Sequence, residues 1–306
     1  MDALGRVGKE DDAIPVSEYR TVGLPSNVDI AYIEAGKIEA GNTNKHTLVL
    51  LHDFPSSSAQ FKTLIPRLAT RYHVLAPDLP NFGFTSVPMS YKPSFESMAK
   101  AIAEFLKVMG VDKAAFYGVG YGADVVFRIA LQTPDVIKAL VVQNGNAYEK
   151  GLGDAWKPFE RWWQGEGAAR DELYQTLGDP SWTKHRWYVG VPDSDVHKID
   201  PMQYTEAYRG TLRDDNKRDT QFTLLWDYQE NVKLYPKIQE WLKKNTPLLV
   251  LWGRGDDVYS TAAPEGFKKD SQYAKVVMMD GGHFLTETKV PIIAKEVRDF
   301  LEGVDW

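Results

Sequence analysis

Short apolar segments alternate with amphipathic stretches along most of this chain. TLVLLH, HVLAPD and PLLVLWG are nearly continuous apolar runs, which is typical of strands buried on both faces of a mostly parallel sheet. The pattern predicts strands over residues 28–33, 47–52, 73–77, 114–119, 137–143, 247–253 and 275–280. It predicts helices between them, for example over 95–109, 125–132 and 290–301. This alternation predicts the α/β class with a doubly wound, mostly parallel sheet.

The alternation breaks between about residues 146 and 235. DAWKPFERWW, SWTKHRWY and FTLLWDYQ combine helical patterns with many aromatic rings, and none of them resembles a buried strand. We interpret 146–235 as a helical cap inserted into a core formed by 1–145 and 236–306. Aromatic side chains with a polar tip suit the roof of a pocket, although most rings in a helical layer are ordinary core.

The composition of the chain then excludes several classes of function. The 306 residues include 36 Lys plus Arg, 42 Asp plus Glu and no Cys. The net charge of −6 argues against a nucleic-acid partner, and the lack of Cys excludes a thiol nucleophile, a disulfide scaffold and a Cys-ligated metal. The six His form no H-x-x-x-H or H-x-H pair, so neither a metal nor another cofactor is expected.

No apolar run is long enough to suggest a membrane span. The first residues, MDALGRVGKEDDAIP, lack the apolar core of a signal peptide. We therefore expect a cytoplasmic protein that acts on a small molecule, without a nucleic-acid or membrane partner. The oligomeric state is left open.

The most informative motif is FYGVGYGAD, which joins a predicted strand to a predicted helix. A dinucleotide-binding turn needs a third glycine where Ala123 stands and usually lies near the start of the fold. The better match is a strand–turn–helix elbow, G-x-nucleophile-x-G, whose central residue is Gly120. In such an elbow the central residue lies at positive φ and faces the pocket.

Three further segments fit around this elbow. LLHDFPSSS follows a strand and suggests an oxyanion hole formed by the backbone N–H groups of Phe54 and Tyr121. VLWGRGDDVYS places Asp256 after a strand, and VVMMDGGHFLTETKVP places His283 after the next. The order elbow, acid, histidine is that of a catalytic triad.

With these motifs, the sequence resembles the α/β-hydrolase superfamily from about residue 16 to 301. The closer resemblance is to its capped haloalkane dehalogenases and epoxide hydrolases, because DLPNFGFTSVP is similar to their D-x-P-G-x-G-x-S stretch. The resemblance implies that Asp256 orients His283, that His283 is the base, and that Gly120 stands at the nucleophile position. Family members carry Asp there, or Ser in esterases.

The chain departs from that pattern at three positions. Gly120 has no side chain and cannot form an ester, so the two-step covalent mechanism is not open to the chain as written. Asp53 replaces the usual glycine of the H-G-x-P loop, and Asp124 begins the elbow helix. Either Gly120 is an engineered replacement of an Asp or Ser, made to stop turnover, or the pocket has diverged naturally. Three differences in one pocket favour natural divergence.

Two of these acids have alternative interpretations. Asp53 could exchange a proton if burial raises its pKa, or be a solvated loop carboxylate, or cap backbone N–H groups. Asp124 fits a favourable charge at a helix N-terminus better than a catalyst.

Three functions follow. The leading one is acid–base chemistry by His283 and Asp256, with Asp53, on a small and largely apolar substrate without a covalent intermediate: cyclisation, isomerisation, lyase chemistry or direct water addition. The second is a covalent epoxide hydrolase, dehalogenase or esterase whose nucleophile has been lost. The third is a non-catalytic small-molecule receptor.

The sequence also suggests which residues line the pocket. The candidates are His52, Tyr148, Trp187, Tyr188 and Phe284. For an epoxide hydrolase, the candidate donors to the ring oxygen are Tyr148, Tyr188, Tyr204 and Tyr208.

Overall fold

A computed structural model describes residues 14–37, 45–244 and 246–306. Its eight-stranded sheet has the order β1-β2-β4-β3-β5-β6-β7-β8. The strands are β1 Ser17–Gly23, β2 Asp29–Ala35, β3 Thr47–Leu51, β4 His73–Pro77, β5 Ala114–Val119, β6 Ile137–Gln143, β7 Leu248–Gly253 and β8 Ala274–Met279. The pairs β1–β2 and β2–β4 are antiparallel, and every later pair is parallel. The predicted doubly wound, mostly parallel α/β sheet is confirmed.

Helices cover both faces of the sheet. They are α1 Ile65–Leu68, α2 Phe95–Val108, α3 Tyr121–Gln132, α4 Lys157–Trp163, α5 Gly167–Gly178, α6 Pro180–Tyr188, α7 Pro201–Thr211, α8 Asp215–Leu242, α9 Ala262–Asp270, α10 Leu285–Thr288 and α11 Val290–Leu301. Within β3, Val49 and Leu51 pack into one buried cluster, and Leu48 and Leu50 pack into another. This alternation buries both faces of the strand, which explains its continuous apolar sequence.

The seven predicted strands all form, with ends that differ by at most two residues. The sequence did not predict the additional strand β1, because it contains no apolar run. Its sequence SEYRTVG is mostly exposed and pairs only with β2 at the edge of the sheet. Such an edge strand needs no continuous apolar pattern, because only part of it is covered.

Five helices, α4 to α8, lie between β6 and β7, where the sequence predicts a cap. The last of them, α8, continues to Leu242 through Pro236, so the predicted cap boundary at residue 235 falls inside a helix. The polar N-terminal segment used for the expectation of a cytoplasmic location lies largely outside the described residues. Within the described part of the chain, no helix has the length and apolarity that crossing a bilayer requires.

Candidate active site

The predicted elbow forms at the carboxyl end of β5. Gly120 joins β5 to α3 with φ 46° and ψ −114°, a backbone conformation that side-chain-bearing residues rarely adopt. Gly122, in the first turn of α3, lies so close to the carbonyl oxygen of Leu51 that a Cβ there would overlap it. The two glycines therefore permit the sharp turn and bring α3 against β3.

Asp53 extends from the loop after β3 to this elbow. A Cβ on Gly120 would lie within 2.5 Å of all three carboxyl atoms of Asp53, so the carboxylate fills the space in which a residue-120 side chain would begin. Its Oδ1 accepts the backbone N–H of Tyr121 at 2.7 Å. The backbone N–H of Asp53 donates to Oε1 of Gln60 at 2.9 Å, which fixes the loop. Because Asp53 is only 4% exposed, it is not a solvated loop carboxylate.

His283 lies between two carboxylates. Its Nδ1 is 2.9 Å from Oδ2 of Asp256, and its Nε2 is 2.6 Å from Oδ2 of Asp53. Asp256 is fixed in turn, because its Oδ2 accepts Nδ2 of Asn144 at 2.7 Å and its Oδ1 accepts the N–H of Val258 at 2.8 Å. The structure thus joins the predicted acid, the histidine and Asp53 in one hydrogen-bonded row, with Asn144 as a support that the sequence did not indicate.

This arrangement keeps a proton on the imidazole. Burial by itself lowers the pKa of His283, but the charges and hydrogen bonds of Asp256 and Asp53 outweigh it and raise that pKa from 6.5 to about 10. At neutral pH His283 is therefore an imidazolium, held by Asp256 and Asp53. Such an imidazole is ready to give a proton, and it becomes a base only after it has done so.

The raised pKa predicts how stability depends on pH. Since the folded value exceeds the unfolded one, the stabilisation is complete below about pH 6.5 and is lost as the pH rises through about 10. We expect the free energy of unfolding, measured by urea denaturation, to fall between these limits. Asp53→Asn removes one of the two charges and should make the fall smaller; an equal fall in both proteins would contradict the arrangement. An NMR titration of the His283 ring gives the same pKa directly.

A cavity of about 420 Å³ opens over this row, within the range of small-molecule sites. Asp53, Tyr121, Tyr259 and His283 contribute to its lining. Apolar side chains from the β3 loop and from the segment between β6 and β7 form much of the remaining wall: Phe54, Trp156, Phe159, Leu173, Trp182 and Leu225. The cavity therefore combines this apolar wall and the polar groups at the elbow with further charged side chains: Asp154, Arg161, Glu172, Arg186 and Asp257.

Asp256 and its neighbour Asp257 have different partners. Arg186 of α6 forms a two-pronged ion pair with Asp257, at 2.9 and 2.6 Å, and both side chains line the cavity. The guanidinium also lies 5.7 Å from the ring centre of Trp182. This pair attaches α6 to the loop that carries Asp256. A pairing between residues 71 positions apart leaves no signal in the local pattern.

The structure separates the predicted pocket residues. Phe284 lines the cavity, whereas His52, Tyr148, Trp187 and Tyr188 do not. Trp187 is buried behind Phe284, with ring centres 3.8 Å apart. Tyr148 instead contacts Phe267 of α9 edge to face. These aromatic residues of the predicted cap therefore belong mainly to a packed helical layer.

His52 has a structural role beneath the site. Its Nε2 accepts the backbone N–H of Leu79 at 2.9 Å, so its Nδ1 carries the hydrogen that faces the carbonyl oxygen of Asp53 at 3.0 Å. Burial lowers the pKa of His52, which agrees with a neutral ring. His52 thus holds the loop of Asp53 in place.

The tyrosines suggested as donors to a ring oxygen also lie elsewhere. Tyr204 and Tyr208, like Tyr148 and Tyr188, do not line the cavity, and the cavity tyrosines are Tyr121 and Tyr259. Burial raises the pKa of both cavity tyrosines well above the ordinary value, so both keep their protons at neutral pH. The position of Tyr259, three residues after Asp256, was the signal that could have identified it.

Asp124 differs from its interpretation as a helix-terminal charge. It lies in the first turn of α3 but is only 1% exposed. Burial raises its pKa well above the ordinary range, although Arg128 and the hydroxyl of Tyr228 act in the opposite direction. Burial therefore disfavours the charged form of Asp124, the form on which its interpretation as a helix-terminal charge depends.

Comparisons with known proteins support the fold described above. A family model described as the alpha/beta hydrolase fold matches residues 46–290. An uncharacterized hydrolase of Saccharomyces cerevisiae is 40% identical over 287 residues, covering 92% of this chain and 96% of the relative. Among solved structures, the epoxide hydrolase CorEH superposes with a TM-score of 0.72 at 18% identity, covering 94% of this chain and 99% of that one. The haloalkane dehalogenase DbeA of Bradyrhizobium elkani gives a TM-score of 0.69 at 17% identity, with 94% and 98% covered.

At such low identity the two solved structures show a shared fold and nothing finer. The family match and the yeast relative reach further, because each spans most of this chain. Together with the eight-stranded sheet and the elbow after β5, they show that this chain belongs to the α/β-hydrolase family.

Proposed function

We propose that this protein hydrolyses small, largely apolar epoxides in the cavity over the elbow, with His283 as the residue that moves the proton. The observation that carries the proposal is the position of His283, buried in the cavity wall between Asp256 and Asp53. Acid–base chemistry by a histidine held by a carboxylate is a common device of hydrolytic enzymes.

The protonation state of His283 favours an epoxide over a haloalkane. Opening an epoxide leaves an alkoxide on the substrate, and this oxygen needs a proton. An imidazolium with a pKa of about 10 supplies that proton and is then neutral, so it can activate water in the next step. A haloalkane releases a halide that takes no proton, and the imidazolium would remain unable to act as a base.

The wall of the cavity supports a largely apolar substrate. Rings and aliphatic groups such as Trp156, Phe159 and Leu225 enclose the space, and burying apolar substrate surface against them is favourable by roughly 25 cal/mol per Å². Tyr121 and Tyr259 line the same cavity, and both keep their hydroxyl protons. The hydroxyl of Tyr259 shares a hydrogen bond with that of Tyr228 at 3.1 Å, whereas the hydroxyl of Tyr121 has no partner among the described residues. A donor to the ring oxygen would stabilise the charge that develops as the ring opens.

Turnover of a substrate panel tests this proposal. The purified protein is incubated with styrene oxide, cyclohexene oxide and a linear terminal epoxide, and separately with bromoalkanes and p-nitrophenyl esters. We expect diol formation from the epoxides, followed by gas chromatography, at a rate proportional to protein concentration. The exposed His197 of the cap offers a matched control, and His197→Gln should retain the activity. Hydrolysis of only bromoalkanes or esters, or binding without conversion, would overturn the proposal.

A further inference from the structure

Gly120 gives the elbow no side chain, but a carboxylate stands beside it. Asp53 reaches Gly120 from the preceding loop, and its carboxyl atoms lie where the side chain of residue 120 would begin. Its Oδ1 is bound by the N–H at the start of α3, and its Oδ2 faces Nε2 of His283. The position of the carboxylate, rather than the residue that carries it, decides what it can attack.

We propose that Asp53 is the nucleophile of this enzyme and forms a covalent ester with the substrate. The inference rests on the proposed function for its substrate, and it replaces direct addition of water by a two-step route. The expectation of no covalent intermediate was based on Gly120 alone. In the structure, the carboxylate of Asp53, from another loop, lies where a side chain of residue 120 would begin.

Contacts on the two oxygens assign them different parts in the reaction. Tyr121 donates its N–H to Oδ1 at 2.7 Å, so this oxygen is held as the carbonyl oxygen of a future ester and is stabilised when it becomes an oxyanion. Oδ2, which faces the cavity residue His283 at 2.6 Å, is the attacking atom. The loop is fixed by the hydrogen bonds of Asp53 to Gln60 and His52. This keeps the carboxylate in one orientation, as a nucleophile requires.

The first step opens the ring. Oδ2 forms a bond to a ring carbon, the bond from that carbon to the ring oxygen breaks, and its electron pair goes to the oxygen. That oxygen takes the proton from Nε2 of His283. The products are a hydroxyalkyl ester on Asp53 and a neutral imidazole, and the charge of the row is balanced because one carboxylate and one imidazolium are both neutralised.

The second step cleaves the ester. Neutral His283 takes a proton from water, and the water oxygen attacks the carboxyl carbon of Asp53. The resulting oxyanion on Oδ1 is bound by the N–H of Tyr121. When it collapses, the bond between the carboxyl carbon and the diol oxygen breaks, and the second water proton goes to that oxygen. The diol leaves, and Asp53 returns as a carboxylate that carries one oxygen from water.

This route explains why Gly120 and Asp53 occur together. A side chain at residue 120 would overlap the Asp53 carboxylate, so only one of the two positions can carry the acid. Glycine at the elbow is then a requirement for the carboxylate of Asp53 to reach the site. On this proposal, an elbow with glycine at residue 120 is still part of an active enzyme.

Oxygen labelling tests the proposal on the unaltered protein. A single turnover of styrene oxide is run in H2¹⁸O with protein in excess, and the protein is then digested with trypsin in ordinary water. Cleavage after Lys45 and Lys62 gives a peptide, residues 46–62, whose only side-chain carboxyl is that of Asp53. The peptide 255–268, which holds Asp256 and Asp257, is the matched control.

We expect one heavy oxygen in peptide 46–62, none in peptide 255–268, and a first diol that contains only ordinary oxygen. Heavy oxygen in the first diol, with peptide 46–62 unlabelled, would show direct addition of water and overturn the role of Asp53 while leaving the proposed substrate intact.

A second measurement separates this inference from the substrate assignment. If no epoxide is turned over, the proposed function fails, and phenacyl bromide then tests Asp53 alone, since displacement of bromide by a carboxylate needs no proton. Fragmentation of peptide 46–62 locates the adduct. An ester on Asp53 supports the assignment, and modification elsewhere or none overturns it.

Discussion

Replacing His283 by glutamine is expected to lower kcat/KM for epoxide opening by on the order of 10²–10⁴-fold, the usual contribution of a positioned acid or base. The physical reason is that His283 acts twice, because it protonates the ring oxygen and then activates water. A glutamine amide can donate a hydrogen bond to one carboxylate but cannot transfer a proton. KM should change less than kcat, since the apolar wall that binds the substrate is untouched.

The control for this variant must separate chemistry from folding. Removing the imidazolium leaves Asp53 and Asp256 as buried acids without their shared cation, so His283→Gln should also lose stability. Its activity is therefore compared with that of His197→Gln at a temperature at which both proteins show the circular dichroism of the folded state. If the folded His283→Gln protein kept more than about a tenth of the activity, proton transfer by this residue would be contradicted.

The scaffold of the site was predictable from sequence because its signals are local. Buried parallel strands produce continuous apolar runs, and the carboxyl ends of such strands meet at one edge of the sheet. For this reason the sequence alone predicts that Asp256 after β7 and His283 after β8 lie beside the elbow. The distance of 2.9 Å between Nδ1 of His283 and Oδ2 of Asp256 is the expected contact.

The contents of the cavity were not predictable, because they depend on contacts between distant segments. The aromatic residues between β6 and β7 look alike in the sequence, but only some of them face the cavity. Trp182 lines the cavity, whereas Trp187 lies behind Phe284. Asp53 presents the same difficulty. Its burial and its contact with residue 121 depend on how closely the β3 loop approaches α3, which no local pattern encodes.

The strongest test of the role of Asp53 exchanges the two residues. Asp53→Gly alone removes the carboxylate, and we expect it to lower kcat/KM by on the order of 10²–10⁴-fold, comparable with the loss of the histidine. Gly120→Asp alone brings a second carboxyl group into occupied space, and we expect loss of both stability and activity. These two variants establish that each residue is needed in its own setting.

The double variant Asp53→Gly/Gly120→Asp should then be more active than either single variant, by about 10²-fold, because the coupling between overlapping residues is large. It returns one carboxylate to the same place, beside Tyr121 N–H and His283. Rates and urea denaturation are measured for all four proteins. A double variant no better than the worse single one would show that Asp53 acts through its own loop rather than through the position of its carboxylate.

Backbone strain has to be separated from overlap in this comparison, and the chain contains a suitable control. Gly110 also has a positive φ, at 69°, but a Cβ there would meet nothing within 4 Å. Gly110→Asp therefore measures the cost of an aspartate in left-handed backbone without a clash, typically about 1–3 kcal/mol. If Gly120→Asp costs more than Gly110→Asp, and if that excess disappears when Asp53 is glycine, the excess measures two carboxyl groups competing for one position.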